Sequence, residues 1–156
     1  MSGGLVVDSV LRIAVLLGTG TVAGIFVAVL ASVGPALAEM RPAMYVQVHQ
    51  LLGKGYHPMM PILVNVTMLA EIALAVLTAG AGFKVLYAVN VALLLGVQFV
   101  SHLGNVPINR ALSTPDAAGG AGWQDPRPRW LSWHRLRTAL ACAALLGTSV
   151  VTVVGT

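Results

Sequence analysis

Ile13 to Ala38 reads IAVLLGTGTVAGIFVAVLASVGPALA, with no charged side chain between Arg12 and Glu39. A helix needs about 20 predominantly apolar residues to cross the hydrocarbon core of a bilayer. This run exceeds that length, so it reads as a membrane span. Three similar runs follow it, which predicts an all-α membrane protein: a four-helix transmembrane bundle in a single domain. The spans are placed at about 10–32, 61–80, 83–103 and 130–154, each near the length a bilayer requires. The Gly80-Ala81-Gly82 turn is tight enough to make the second and third spans antiparallel neighbours. Gly20 and Gly24 form a small-xxx-small pair, which predicts close approach of another helix to the first span.

Composition supports this reading. Of the 156 residues, 57% are hydrophobic and only 9% charged, and the mean hydropathy is +0.85. Soluble domains carry about 25% charged residues, so this chain lacks the charges to cover a water-facing surface. A membrane β-barrel would show short alternating segments, whereas these runs are long and unbroken. The net charge of +4 does not point to nucleic acid, because the basic residues sit at helix ends. The single cysteine, Cys142, excludes an internal disulfide and reads as a packing residue. The N-terminus lacks a Lys/Arg-rich start and an A-x-A-like cleavage site, so the first span is expected to be retained.

Between spans one and two, residues 41–54 are too short and too polar to cross. Met44, Val48, Leu51 and Leu52 recur at helical spacing, and Tyr45 and His49 share a face. A short amphipathic helix at the membrane surface or tucked under the bundle is predicted. Gly53, Gly55 and Pro58 end it. Residues 112–128 are a loop rich in Gly, Pro and Asp. The end of the bundle holding the N-terminus carries Arg12 and Lys84. The other end carries Arg41, Lys54, Arg110, Arg127, Arg129, Arg135 and Arg137. The excess of Lys and Arg places that second end in the cytoplasm, with the protein in the plasma membrane.

That topology gathers chemistry at the basic end. His49, His57, His102 and His134 all fall there, with Trp123, Trp130, Trp133, Tyr45 and Tyr56. An aromatic belt would dress both membrane faces, yet the opposite face has only Phe83 and Tyr87. Ionisable groups within a membrane mark functional sites. Gln98, His102, Asn105 and Asn109 form one stripe if the third helix continues past Gly104 and Pro107; Pro107 is expected to kink or end it. Trp130, His134 and Arg137 form a second stripe. Imidazoles from separate helices suit copper, iron or zinc, and His49, His102 and His134 are the candidate ligands. No H-x-x-x-H or E-x-x-H pair occurs to strengthen that reading. His57, beside Pro58, is read as a cap. Glu71 is separate, mid-span, and is expected to be hydrogen-bonded or protonated, with Asn65, Thr67 and Asn90 as candidate partners.

Asn105-Val106-Pro107-Ile108-Asn109-Arg110, a Trp-containing loop, and Trp130-x-x-Trp133-His134-x-x-Arg137 before a final apolar helix resemble the anthrone-oxygenase-like family of small membrane proteins. Tyr45-x-x-x-His49-Gln50 fits the same resemblance, which runs from the first helix to the last. It implies a four-helix membrane fold and oxidation of an anthrone carbon with O₂. His49, Asn105, Asn109, Trp133 and Arg137 match the family pattern. His134 departs from it, since asparagine is usual there.

Two functions are in play. In the first, a membrane oxygenase acts on a small lipophilic substrate. It uses copper or iron on His49, His102 and His134, or no metal at all. Asn105 and Asn109 would orient groups, Arg137 would hold an oxyanion, and Tyr45 would supply a proton or an electron. In the second, a non-catalytic module or small transporter subunit uses Glu71 as a proton site, and a homo-oligomer would supply its symmetry. A pocket that stops mid-membrane favours the enzyme; a wet path past Glu71 to both faces favours the transporter.

Overall fold

The structure is a computed structural model describing residues 2–114, 117 and 123–154, with side chains from residue 4 onward. Among these residues every regular element is helical. α1 (Ser2–Ala28) passes through a π turn (Val29–Val33) into α2 (Gly34–Ala38). α3 (Pro42–Tyr56) and α4 (Met59–Leu77) follow. α5 (Ala81–Val100) passes through a second π turn (Ser101–Asn105) into α6 (Val106–Ala111). α7 (Arg127–Val154) closes the bundle. Four segments are long and apolar enough to cross a membrane: Gly4–Ala38, Met59–Leu77, Ala81–Ala111 and Arg127–Val154. Much of the loop expected at 112–128 lies outside the described residues.

The helices that carry the first and third spans run on past residues 32 and 103, for one physical reason. Proline has no N–H, and its ring crowds the carbonyl four residues back. Pro35 and Pro107 each stand two residues beyond a π turn. In these turns Gly34 N–H donates to Val29 O, and Val106 N–H donates to Ser101 O. The wider turn takes up the mismatch, so the helix bulges and continues. The first helix therefore continues past residue 32, and Pro107 does not end the third. Such bulges concentrate at functional sites, and both lie at the histidine end.

The helices form a ring in which α1 and α5 each pack against α4 and α7. Val22, Phe26, Val64, Val97 and Ala141 make the apolar middle layer. Val15, Leu74, Tyr87 and Val151 fill the end nearest the N-terminus. Leu37, Tyr45, Val46 and Leu112 fill the histidine end, where α3 tucks against α2, α4 and α6. Leu17, Leu69, Phe99 and Leu146 point outward, the surface a lipid-facing bundle requires. Close helix approach occurs at Gly18, against Thr67, and at Gly104, against the Trp133 ring; a Cβ at either would collide. The expected Gly20/Gly24 pair does not do this: nothing lies within 4 Å of a Cβ at Gly24, and Gly20 faces only Leu145.

Candidate functional site

A cavity of about 190 Å³ opens among α1, α3, α4, α5 and α7 at the histidine end. Phe26, Val64 and Val97 belong both to its lining and to the apolar middle layer. The cavity therefore ends mid-bundle. Its walls are mostly apolar, and its polar lining includes His49, Gln98, His102, Asn109 and Arg137.

α7 builds the best-ordered wall. Trp130 and His134 are one turn apart and stack with ring centroids 5.1 Å apart and planes within 8°. His134 is fully buried. Arg137 Nε donates to His134 Nδ1 at 2.9 Å. That bond requires an unprotonated Nδ1, so Nε2 carries the hydrogen and donates to Phe26 O at 3.0 Å. The Arg137 guanidinium lies over the Phe26 ring, 4.6 Å from its centroid, and 5.8 Å from that of Trp130. Cation–π contact of this kind strengthens when desolvated. Arg137 is thus clamped through Nε and between rings, while its terminal nitrogens bond to no described residue and remain available to the cavity.

α3 and α6 supply the second wall. Asn109 Oδ1 accepts from Trp130 Nε1 at 2.9 Å and from His49 Nε2 at 3.0 Å. An amide oxygen only accepts, so His49 carries its hydrogen on Nε2 and offers Nδ1 as a free base. His49 also packs edge-on to Trp130, with centroids 5.4 Å apart. Its pKa is pushed below the ordinary imidazole value, first by burial; the Asn109 bond opposes this and the Arg137 charge adds to it. The imidazole is therefore neutral near pH 7.

The expected site residues separate into two groups. His49, Asn109, His134 and Arg137 come together around Trp130. His102 is exposed on the cavity rim. Asn105 is fully buried behind the wall, its Nδ2 donating to Trp130 O at 3.0 Å; it positions α7 and does not line the cavity. The π turn at Ser101–Asn105 takes Asn105 out of the expected stripe, while Gln98, His102 and Asn109 line the cavity together. Gln98 itself donates to Asn65 at 2.8 Å. Tyr45 is buried outside the cavity, under the Arg127 guanidinium. Burial, with Asp125 adding to it and Arg127 opposing, pushes its pKa up to about 12, so the phenol stays protonated.

The expected metal triad is not assembled. Among the described residues no group of three or more His, Cys, Asp or Glu side chains is placed to hold an ion. Both His134 nitrogens are engaged, His49 Nε2 is held by Asn109, and His102 is exposed on the cavity rim. This donor set does not fit copper or iron.

Two contributors carried no sequence signal. Phe26 offers a backbone carbonyl and a ring face, and neither is distinctive in an apolar run. Arg127 reads from sequence as one more basic residue at a span end. In the fold its Nη1 donates to Leu37 O, Ala38 O and Met40 O at 3.3, 2.9 and 2.7 Å, and Asp125 grips its other edge. It thereby caps the carbonyl end of α2 and fixes how α7 starts.

Residues 49–147 match the family model described as anthrone oxygenase. The chain belongs to the anthrone oxygenase family. The match opens at His49 and takes in Asn105, Asn109, Trp130, His134 and Arg137. It leaves out α1, which supplies Phe26. No curated protein and no solved structure matches the chain. Membership in this family points to an oxygenase-type activity.

Proposed function

We propose that the chain is a membrane-embedded oxygenase that uses O₂ to oxidise an activated CH₂ group in a small lipophilic aromatic molecule. One observation carries this reading: a cavity closed at mid-membrane, whose polar wall sets a clamped cation, Arg137, near a neutral base, His49. An apolar cavity of about 150 Å³ accepts benzene. This one, at about 190 Å³, suits one or two rings, with the rest of the substrate reaching the opening. The substrate partitions from the lipid bilayer. The Lys/Arg excess turns this end toward the cytoplasm.

His49 Nδ1 takes a proton from the CH₂ group, and the C–H electron pair delocalises onto the adjacent carbonyl oxygen. Arg137 holds that oxyanion with its free N–H groups, the kind of preorganised donor that contributes most to such reactions. The carbanion carbon bonds to O₂, and the distal oxygen takes the proton back from His49. The hydroperoxide then loses water to give a ketone. The balance is CH₂ plus O₂ to C=O plus H₂O: carbon is oxidised, and one oxygen atom stays in the product. The neighbouring Arg137 charge destabilises imidazolium at His49, which favours return of the proton. His134 acts through Arg137 as a positioning residue.

The transporter reading is weaker. Phe26, Val64 and Val97 belong to the layer where the cavity ends, and Glu71 is not among the cavity's lining residues. The test uses protein in lipid nanodiscs with benzylic ketones of one to three rings and isotopically labelled O₂. The expected result is one labelled oxygen per product and loss of turnover in Arg137→Gln. Product formed without label, or full activity in Arg137→Gln, refutes the reading.

A further inference from the structure

A second polar group sits at the end of the bundle away from the cavity. Among the described residues, the buried polar atoms without a partner include Arg12 Nη1, Glu71 Oε2, Thr78 Oγ1 and Tyr87 OH. These come from α1, α4, the residue capping α4, and α5, and all fall on the N-terminal side of the middle layer. Glu71 and Tyr87 are both fully buried. Glu71 is half satisfied: Thr148 Oγ1 donates to its Oε1 at 2.6 Å and accepts from Asn90 Nδ2 at 3.1 Å. Tyr87 packs with Val15 and Leu74, each about one helical turn from Arg12 and Glu71 respectively. Asp8 accepts from Arg12 Nε at 2.6 Å, and its side chain is 36% exposed, so the group reaches the outer surface there.

The chemistry of the set is complementary. Arg12 Nη1 only donates, the Glu71 oxygen accepts, and the two hydroxyls do either. Leaving such atoms dry is costly for each of them. Water satisfies donors and acceptors together, and a buried water typically makes about three hydrogen bonds.

We propose that ordered water links these atoms and makes Glu71 a proton-binding site, reached from the membrane face opposite the cavity. The ligand is a proton delivered by water. It adds to Glu71 Oε2, converting carboxylate and hydronium to carboxyl and water, while the Thr148 bond to Oε1 is kept. Tyr87 is the relay between the Asp8–Arg12 surface and the carboxyl. The Val22, Phe26, Val64, Val97 and Ala141 layer stops the path, so the site exchanges with one face only. This inference does not depend on the oxygenase reading.

The test is infrared spectroscopy of the full chain in nanodiscs as the buffer is exchanged from H₂O to D₂O. The carboxyl C=O band of Glu71 is assigned by its absence in Glu71→Gln. Thr148→Val supports the assignment by shifting the band with Glu71 intact. The expected result is a band that shifts promptly in D₂O and does so several-fold more slowly in Tyr87→Phe. A band that never shifts means a dry, structural hydrogen bond and overturns the proposal. An unchanged exchange rate in Tyr87→Phe overturns the route, and absence of any Glu71 carboxyl band on acidification overturns the proton site.

Discussion

Replacing His134 with phenylalanine and Arg137 with lysine, singly and together, tests how the oxyanion-holding cation is set. Phenylalanine keeps a ring to stack on Trp130 but loses both hydrogen bonds of the imidazole. The bond to Phe26 O crosses between helices; such bonds in membranes average about 0.6 kcal/mol. The bond from the guanidinium is charge-assisted, a class worth about 1.5–3 kcal/mol. Thermal unfolding in nanodiscs should therefore show a loss of about 2–3.5 kcal/mol by that sum. The rate effect is larger than stability alone implies, because a displaced Arg137 no longer meets the oxyanion. Loss of one such donor costs about 10²–10³ in kcat. Arg137→Lys keeps the charge but loses the Nε donor and the planar fork, so it should fall within the same range. The double variant decides the argument, read as O₂ uptake with a benzylic ketone. If His134 acts only by fixing Arg137, the second substitution adds little, giving a coupling close to the single-variant effect of about 2.7–4 kcal/mol. Two effects that multiply, with coupling below about 0.5 kcal/mol, would refute the clamp.

Asn109→Leu removes the acceptor that fixes the His49 tautomer and the bond that raises its pKa. Activity should fall at every pH, and its acid limb should move to lower pH in a pH–rate profile. In the unaltered protein that limb lies below the imidazole value of 6.5, because burial favours the neutral base. The same shift means His49 contributes stability that is present above 6.5 and lost as pH falls toward its lowered folded value. Elemental analysis of the purified protein should find no near-stoichiometric copper or iron, and His102→Ala should change turnover little. Stoichiometric metal that disappears in His102→Ala and His134→Ala would restore the triad. Gly104→Ala drives a methyl group into the Trp133 ring and should cost about 1–3 kcal/mol, as overpacking does, measured by thermal unfolding.

How much of the protein is legible in the sequence depends on which physical quantity sets each feature. The span count follows from the uncharged run after Arg12 and its successors, since a bilayer selects on apolar length alone. The helical spacing of Met44, Val48, Leu51 and Leu52 foretells α3 as a helix but not its buried face, which is Tyr45, Val46 and His49, while Met44 and Leu51 are exposed. The clustering of histidine and tryptophan at one end follows from topology. The Trp130, His134, Arg137 stripe holds because α7 is a regular helix from Arg127 onward, so periodicity transfers directly to space. The stripe on α5 and α6 keeps Gln98, His102 and Asn109 on the cavity but loses Asn105, because one extra residue in a π turn shifts the phase, and Pro107 alone does not reveal whether a helix bends, stops or bulges. The metal triad fails for a different reason. Sequence places three imidazoles at one depth, but depth does not say which way a ring points. Only the packed bundle shows that His134 uses both nitrogens on Phe26 and Arg137 while His102 lies exposed at the rim. For Glu71 the expected Asn90 does join its group, but through Thr148, 77 residues from Glu71, which only the packed bundle reveals. Local sequence thus set the helices and their ends, because hydrophobic length and period are local. The site was decided by tertiary structure, because hydrogen bonds between helices depend on rotation and register that no single segment encodes.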